Sequence, residues 1–191
     1  QNWVTNGGSL LAFSEHAPFD QAINPLLRKF EIESSVGTTI DTINYESKYG
    51  PGMIKFENKN LNTNHPIVNG KYKVEKLISF GGSALSGSKY ENILKLDENS
   101  FNIKHSTGIG PEGKGNSQGL AGIYGSGKIA AFGDSNGFTA MVFNMDDGTK
   151  MYAGMNTEGY DWKNFVLNTE RNFITQFINI IALIWKIIFK H

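Results

Sequence analysis

The sequence predicts an α/β domain built on a mainly parallel sheet, with one antiparallel hairpin and a long apolar helix at its C-terminal end. Three observations predict it. The stretch Trp3-Val4-Thr5-Asn6-Gly7-Gly8 reads as the last turn of a helix closed by residues that tolerate positive φ, and it runs straight into Ser9-Leu10-Leu11-Ala12-Phe13, an apolar run suited to a strand buried on both faces. A second such run, Ile129 to Phe132, is joined to Leu120 to Tyr124 through Gly125-Ser126-Gly127-Lys128, a hairpin signal. Residues 173–191 lack Gly and Pro and are mostly large and apolar.

Between these anchors the chain is read in order. Ser14-Glu15-His16-Ala17-Pro18-Phe19-Asp20 follows the first strand, and a helix is expected from there to about Phe30, with Asn24-Pro25 as cap and first-turn pair. Residues 33–63, rich in Gly, Asn, Ser and Thr, predict a long surface excursion with scattered β-branched runs such as Thr38-Thr39-Ile40. Strands are expected at Lys76 to Phe80 and at Asn92 to Leu96, then a glycine-rich loop over Gly108 to Gly115. Phe138 to Phe143 reads as a helical turn, and Asp161 as the N-cap of a helix through Trp162, Phe165, Val166 and Leu167.

Composition narrows the function classes. Lys plus Arg and Asp plus Glu both number 18 in 191 residues, so the formal charge is zero and there is no electrostatic footprint for nucleic acid. With no Cys in the chain, disulfides, thiolate metal sites and a cysteine nucleophile are excluded. The four His, at positions 16, 65, 105 and 191, are dispersed without metal-ligand spacing, and no cofactor is expected. Gly108 to Gly115 and Gly122 to Ile129 each match the first part of a phosphate loop, but each lacks the Ser or Thr that must follow the Lys.

Four stretches together carry a family resemblance: Trp3 to Leu11, Asn64-His65-Pro66-Ile67-Val68-Asn69-Gly70, Gly125 to Ser135, and Asn164-Phe165-Val166-Leu167-Asn168. In order and spacing they resemble the C-terminal half of class I glutamine amidotransferase-like domains, especially the trehalose-utilisation-protein-like branch. The resemblance implies a flavodoxin-like sheet whose first βα units precede this chain, a partial domain over 1–172, an apolar helix over 173–191, and a ligand related to carbohydrates. The enzymes of that superfamily use a Cys nucleophile, which this chain cannot supply, so the resemblance implies the fold without that chemistry.

The candidate site lies where ligands of open α/β sheets bind, outside the carboxyl ends of the strands. Glu15 and His16 follow the first strand, and Asp134 and Ser135 follow the Ile129 to Phe132 strand. His65, held extended by Pro66, is a candidate for the same cleft. These five are the ligand-binding candidates, and each has a structural alternative: loop hydrogen bonding for Glu15 and His16, turn formation for His65, capping for Asp134 and Ser135. As a catalytic set, His16 is the candidate base, Asp134 its orienting carboxylate, and Ser14 or a water the nucleophile.

The leading expectation is therefore a non-cysteine, ligand-binding or scaffolding domain, with a hydrolase as the first alternative. A membrane-linked structural protein is the second. It rests on Phe173 to Phe189, whose wide apolar face suits contact with either a membrane or an oligomer partner.

Overall fold

The computed structural model describes residues 1–103 and 116–173. Helix α1 (Asn2–Thr5) is closed at Asn6 and followed by Gly7 at φ 107°, a conformation open to glycine, and leads into β1 (Ser9–Phe13). Helix α2 (Asn24–Leu27) carries its proline in the first turn, continues as a 3-10 turn over Arg28–Phe30, and stops at Glu31 in the left-handed region. Short strands follow: β2 (Glu33–Ser34), β3 (Thr38–Asp41), β4 (Lys55–Glu57), β5 (Lys76–Ile78), β6 (Leu85–Ser86), β7 (Glu91–Lys95) and β8 (Ser100–Ile103). Then come β9 (Ser117–Tyr124), β10 (Gly127–Phe132), β11 (Val142–Asn144), β12 (Lys150–Tyr152), and a helix, α3, over residues 162–173.

The mainly parallel, flavodoxin-like sheet is corrected by this architecture, which is mostly strand and mixed in direction. The main sheet runs β1-β10-β9-β6-β2, with β7 also paired to β9. Its pair β1 and β10 is parallel, with Ser9 opposite Lys128 and Phe13 opposite Phe132, whereas β9, β6, β7 and β2 pair antiparallel. Separate two-stranded pieces join β3 to β8, β4 to β5 and β11 to β12. The reason lies in the two-sided burial. Along β10, Ala130 and Phe132 enter one apolar cluster with Trp162, Phe165 and Leu77, while Ile129 and Ala131 enter another with Val4, Leu27, Phe30 and Leu120. A strand covered on both faces reads as a continuous apolar run whatever the direction of its neighbours, so the two apolar runs do not reveal the antiparallel remainder.

Local details follow from residue chemistry. A two-residue turn at Gly125-Ser126, with Gly125 at φ 61°, joins β9 to β10, as suits a turn with glycine at its first central position. The helical turn expected over Phe138 to Phe143 is instead a 3-10 turn over Asn136–Phe138 followed by β11. Asp161 precedes α3, but its carboxylate accepts from the backbone N–H groups of Glu75 (2.8 Å) and Lys76 (3.1 Å), tying the helix start to β5. Trp162 then enters the core, its indole N–H donating to the Ile78 carbonyl at 2.8 Å.

The expected loop over Gly108 to Gly115 and the expected helix over 173–191, Phe173 apart, lie outside the described residues, as do His105 and His191. Among the described residues no helix is long and apolar enough to cross a membrane, and the expected membrane association finds no support there.

Candidate functional site

The parallel register of β1 and β10 determines which side chains meet. With Phe13 opposite Phe132, the chain positions two residues further on are Glu15 and Asp134, at the carboxyl ends of adjacent strands. The Ser14 N–H donates to the Phe132 carbonyl at 2.7 Å, extending the pairing one step beyond the strand.

A third segment, Phe80-Gly81-Gly82-Ser83, closes over these ends. The Ser83 N–H donates to the Gly133 carbonyl (2.8 Å), and the Ser83 hydroxyl lies 2.7 Å from the carbonyl oxygens of both Glu15 and Gly37. The approach is so close that a Cβ on Gly133 would overlap the Ser83 carbonyl oxygen, and one on Gly82 would overlap the Gly133 carbonyl oxygen.

Within this frame both carboxylates are engaged. Asp134 is buried and accepts the backbone N–H of Phe80 at 2.5 Å and that of Asn136 at 2.9 Å. Glu15 accepts the His16 N–H at 3.0 Å on one oxygen, and on the other the Ser135 hydroxyl together with the Asn136 amide at 3.4 Å. The His16 ring is more open: its Nδ1 lies 2.7 Å from the Ala17 carbonyl, its Nε2 is 3.9 Å from Glu15, and its edge approaches Phe19, which is 60% exposed.

Ser14 faces elsewhere. Its buried hydroxyl pairs with the Ser34 hydroxyl at 2.5 Å, in a polar seam where Asn24 clamps both backbone groups of Ser34 and Asp20 accepts the Gly37 N–H at 2.6 Å. His65 is not part of the cluster. It lies in a groove with Glu91, Lys128 and Ile129, near the start of β10 rather than its carboxyl end.

The structure therefore brings together Glu15, His16, Asp134 and Ser135, and leaves Ser14 and His65 apart from them. Phe80, Ser83 and Asn136 complete the cluster, although sequence reasoning did not single them out. The pair Gly81-Gly82 before Ser83 was the available signal, because adjacent glycines allow close backbone approach.

Burial raises the Asp134 carboxyl to about 6, and neighbouring Glu15 adds to the rise, while the N–H groups of Phe80 and Asn136 oppose it. The folded protein thus holds the Asp134 proton more tightly than the unfolded chain, whose carboxyl titrates near 3.8. Stability from this group is fully present below pH 3.8 and is lost as pH rises through about 6. The difference is worth on the order of 3 kcal/mol. Urea unfolding of the wild type and Asp134→Asn over this range should show the wild type losing stability relative to the variant as pH rises. Parallel curves would mean that Asp134 is ionised at no cost.

No protein-family model matches the chain, and no curated protein matches it. Solved structures do match, among them one described as "mmIFT52 N-terminal domain", at 19% identity and a TM-score of 0.49. That match covers 70% of this chain, which spans 56% of the solved chain's length. The comparisons give no support to amidotransferase-like membership, and the mostly-strand fold does not carry its flavodoxin-like sheet.

Proposed function

We propose that this chain is a non-catalytic assembly domain that contacts a second copy of itself through the β11–β12 ribbon. The observation that carries the reading is the exposure of that ribbon. Val142, Phe143, Met145 and Tyr152 are 46, 39, 45 and 43% exposed, and among the described residues β11 and β12 pair only with each other. A two-stranded ribbon is marginal in water on its own, and apolar residues clustered on it favour a covering partner.

The ribbon is anchored firmly at its base, next to the carboxylate cluster. The Met155 N–H donates to the Thr139 carbonyl at 2.7 Å, the Asn156 amide to the Ala140 carbonyl at 2.8 Å, and the Thr139 hydroxyl to the Asn136 carbonyl at 2.7 Å. In this reading Glu15, Asp134 and Ser135 brace the loop from which the ribbon projects. Their oxygens already serve that purpose.

The occupant follows from the edge chemistry. Inward bonds run from the Met145 N–H to the Thr149 carbonyl and from the Ala153 N–H to the Met141 carbonyl, so by alternation Lys150 and Tyr152 turn their N–H groups outward along β12. Antiparallel pairing of β12 with the same strand of a second copy, centred on Met151, sets Lys150 opposite Tyr152 twice and opposes no like charges. Such isologous twofold contacts are the commonest form of oligomer.

Sedimentation velocity tests the proposal. The wild type should sediment as a dimer at micromolar concentration, and Lys150→Pro, which removes one outward donor while sparing the inward bonds, should be monomeric with an unchanged circular dichroism spectrum. A wild type that is monomeric throughout would overturn it.

One observation favours a second, hydrolytic reading. The engagement of His16 Nδ1 by the Ala17 carbonyl leaves Nε2 as an acceptor toward solvent, suited to activating a water. Any hydrolytic activity arising there would vanish in His16→Ala without a matching drop in melting temperature.

A further inference from the structure

The groove that holds His65 carries charges the assembly reading does not use. It has a volume of about 180 Å³ and is lined by His65, Glu91, Lys128 and Asn172 over an apolar floor that includes Ile129 and Phe173. Lys128 and Glu91 bear opposite charges and line the same groove, yet among the described residues they form no ion pair with each other. Lys128 is instead held against α3, its ammonium donating to the Asn172 carbonyl (2.8 Å) and side-chain oxygen (3.3 Å). Glu91 accepts the Asn62 amide at 3.1 Å.

His65 is positioned as a donor. Its Nδ1 accepts the Ile67 N–H at 3.2 Å, which leaves the ring proton on Nε2. Burial lowers its pKa, and Lys128 acts in the same direction against the opposing pull of Glu91, so the ring is neutral at pH 7. The groove thus presents a fixed cation, a neutral N–H donor and a fixed carboxylate.

We propose that this groove binds a small zwitterion, its anionic end on Lys128 and His65 and its cationic end on Glu91. The chemistry selects that class over a simple anion or cation, because either alone would leave one wall charge facing an uncharged end of the ligand. The size selects for a few heavy atoms, since pockets for drug-sized molecules run from about 300 Å³ upward. Lying near the start of β10, the groove is separate from the carboxylate cluster at its other end.

The test is an NMR titration of the whole chain, following the His65 ring signals, with β-alanine as probe and propionate and ethylammonium as controls. β-Alanine should shift the His65 signals saturably, and both controls should bind at least about tenfold more weakly, as expected when one charge-assisted contact is lost. Glu91→Gln, an exposed position, should weaken β-alanine about tenfold while propionate binds no more weakly than to the wild type. Lys128→Met should weaken both, its folding checked by the spectrum of residues distant from α3. The proposal is overturned if β-alanine gives no saturable shift, if propionate binds as tightly as β-alanine, or if Glu91→Gln binds β-alanine as the wild type does.

Discussion

Gly133→Ala is expected to destabilise the protein by about 4 kcal/mol or more, at the upper end of what single substitutions do. The added methyl would occupy the place of the Ser83 carbonyl oxygen, which is backbone and cannot rotate away. Relief requires the Phe80 to Ser83 segment to lift from the end of β10. Four contacts go with it: Ser83 N–H to the Gly133 carbonyl, the Ser83 hydroxyl to the carbonyls of Glu15 and of Gly37, and the Phe80 N–H to buried Asp134. Leaving a buried carboxylate short of a donor costs more than the bond itself is worth. Urea unfolding measures the loss, and a variant within about 1 kcal/mol of the wild type would mean that the segment is not held as described.

Trp162→Ala should cost a similar amount, roughly 3–5 kcal/mol, by the cavity it opens. The indole is buried against Phe138 (ring centroids 5.8 Å apart) and Phe165 (5.4 Å), and Gly137 lies so close that a Cβ there would meet the ring. Its N–H also satisfies the Ile78 carbonyl, so truncation removes a hydrogen bond at the junction of α3 and β5. Because Phe138 precedes the ribbon, the same substitution should loosen β11 and β12, visible as amide exchange there that is accelerated over the wild type by a larger factor than in β9. An equal or smaller acceleration in the ribbon would show that it is not supported by this aromatic cluster.

The parallel neighbours β1 and β10 were legible because each is an apolar run entered from a glycine turn, Gly7-Gly8 before β1 and Gly125 before β10, and their shared direction places Glu15 and Asp134 together. The antiparallel strands were not. Glu33–Ser34 and Leu85–Ser86 are too short for periodicity, and they find their places through Asn24 clamping Ser34 and through pairing with β9, contacts far apart in sequence. The segment over Phe138 to Phe143 misled because a short apolar run fits a helical turn as well as a strand, and only Gly148 at φ 80° in the turn beyond it settles the hairpin. His65 was misplaced for a related reason: its backbone preference before Pro66 constrains local shape but not the end of the sheet it joins. Of the candidate cluster, the residues that follow strands could be read, whereas Phe80, Ser83 and Asn136 act through backbone groups or loop closure that residue type alone does not announce.

Amide hydrogen exchange of β12 at two protein concentrations tests the assembly account most directly. If β12 pairs with its copy, the outward N–H groups of Lys150 and Tyr152 should exchange more slowly as concentration rises, while the inward N–H of Met151 changes less. Fast exchange at Lys150 and Tyr152 that is independent of concentration would contradict the account.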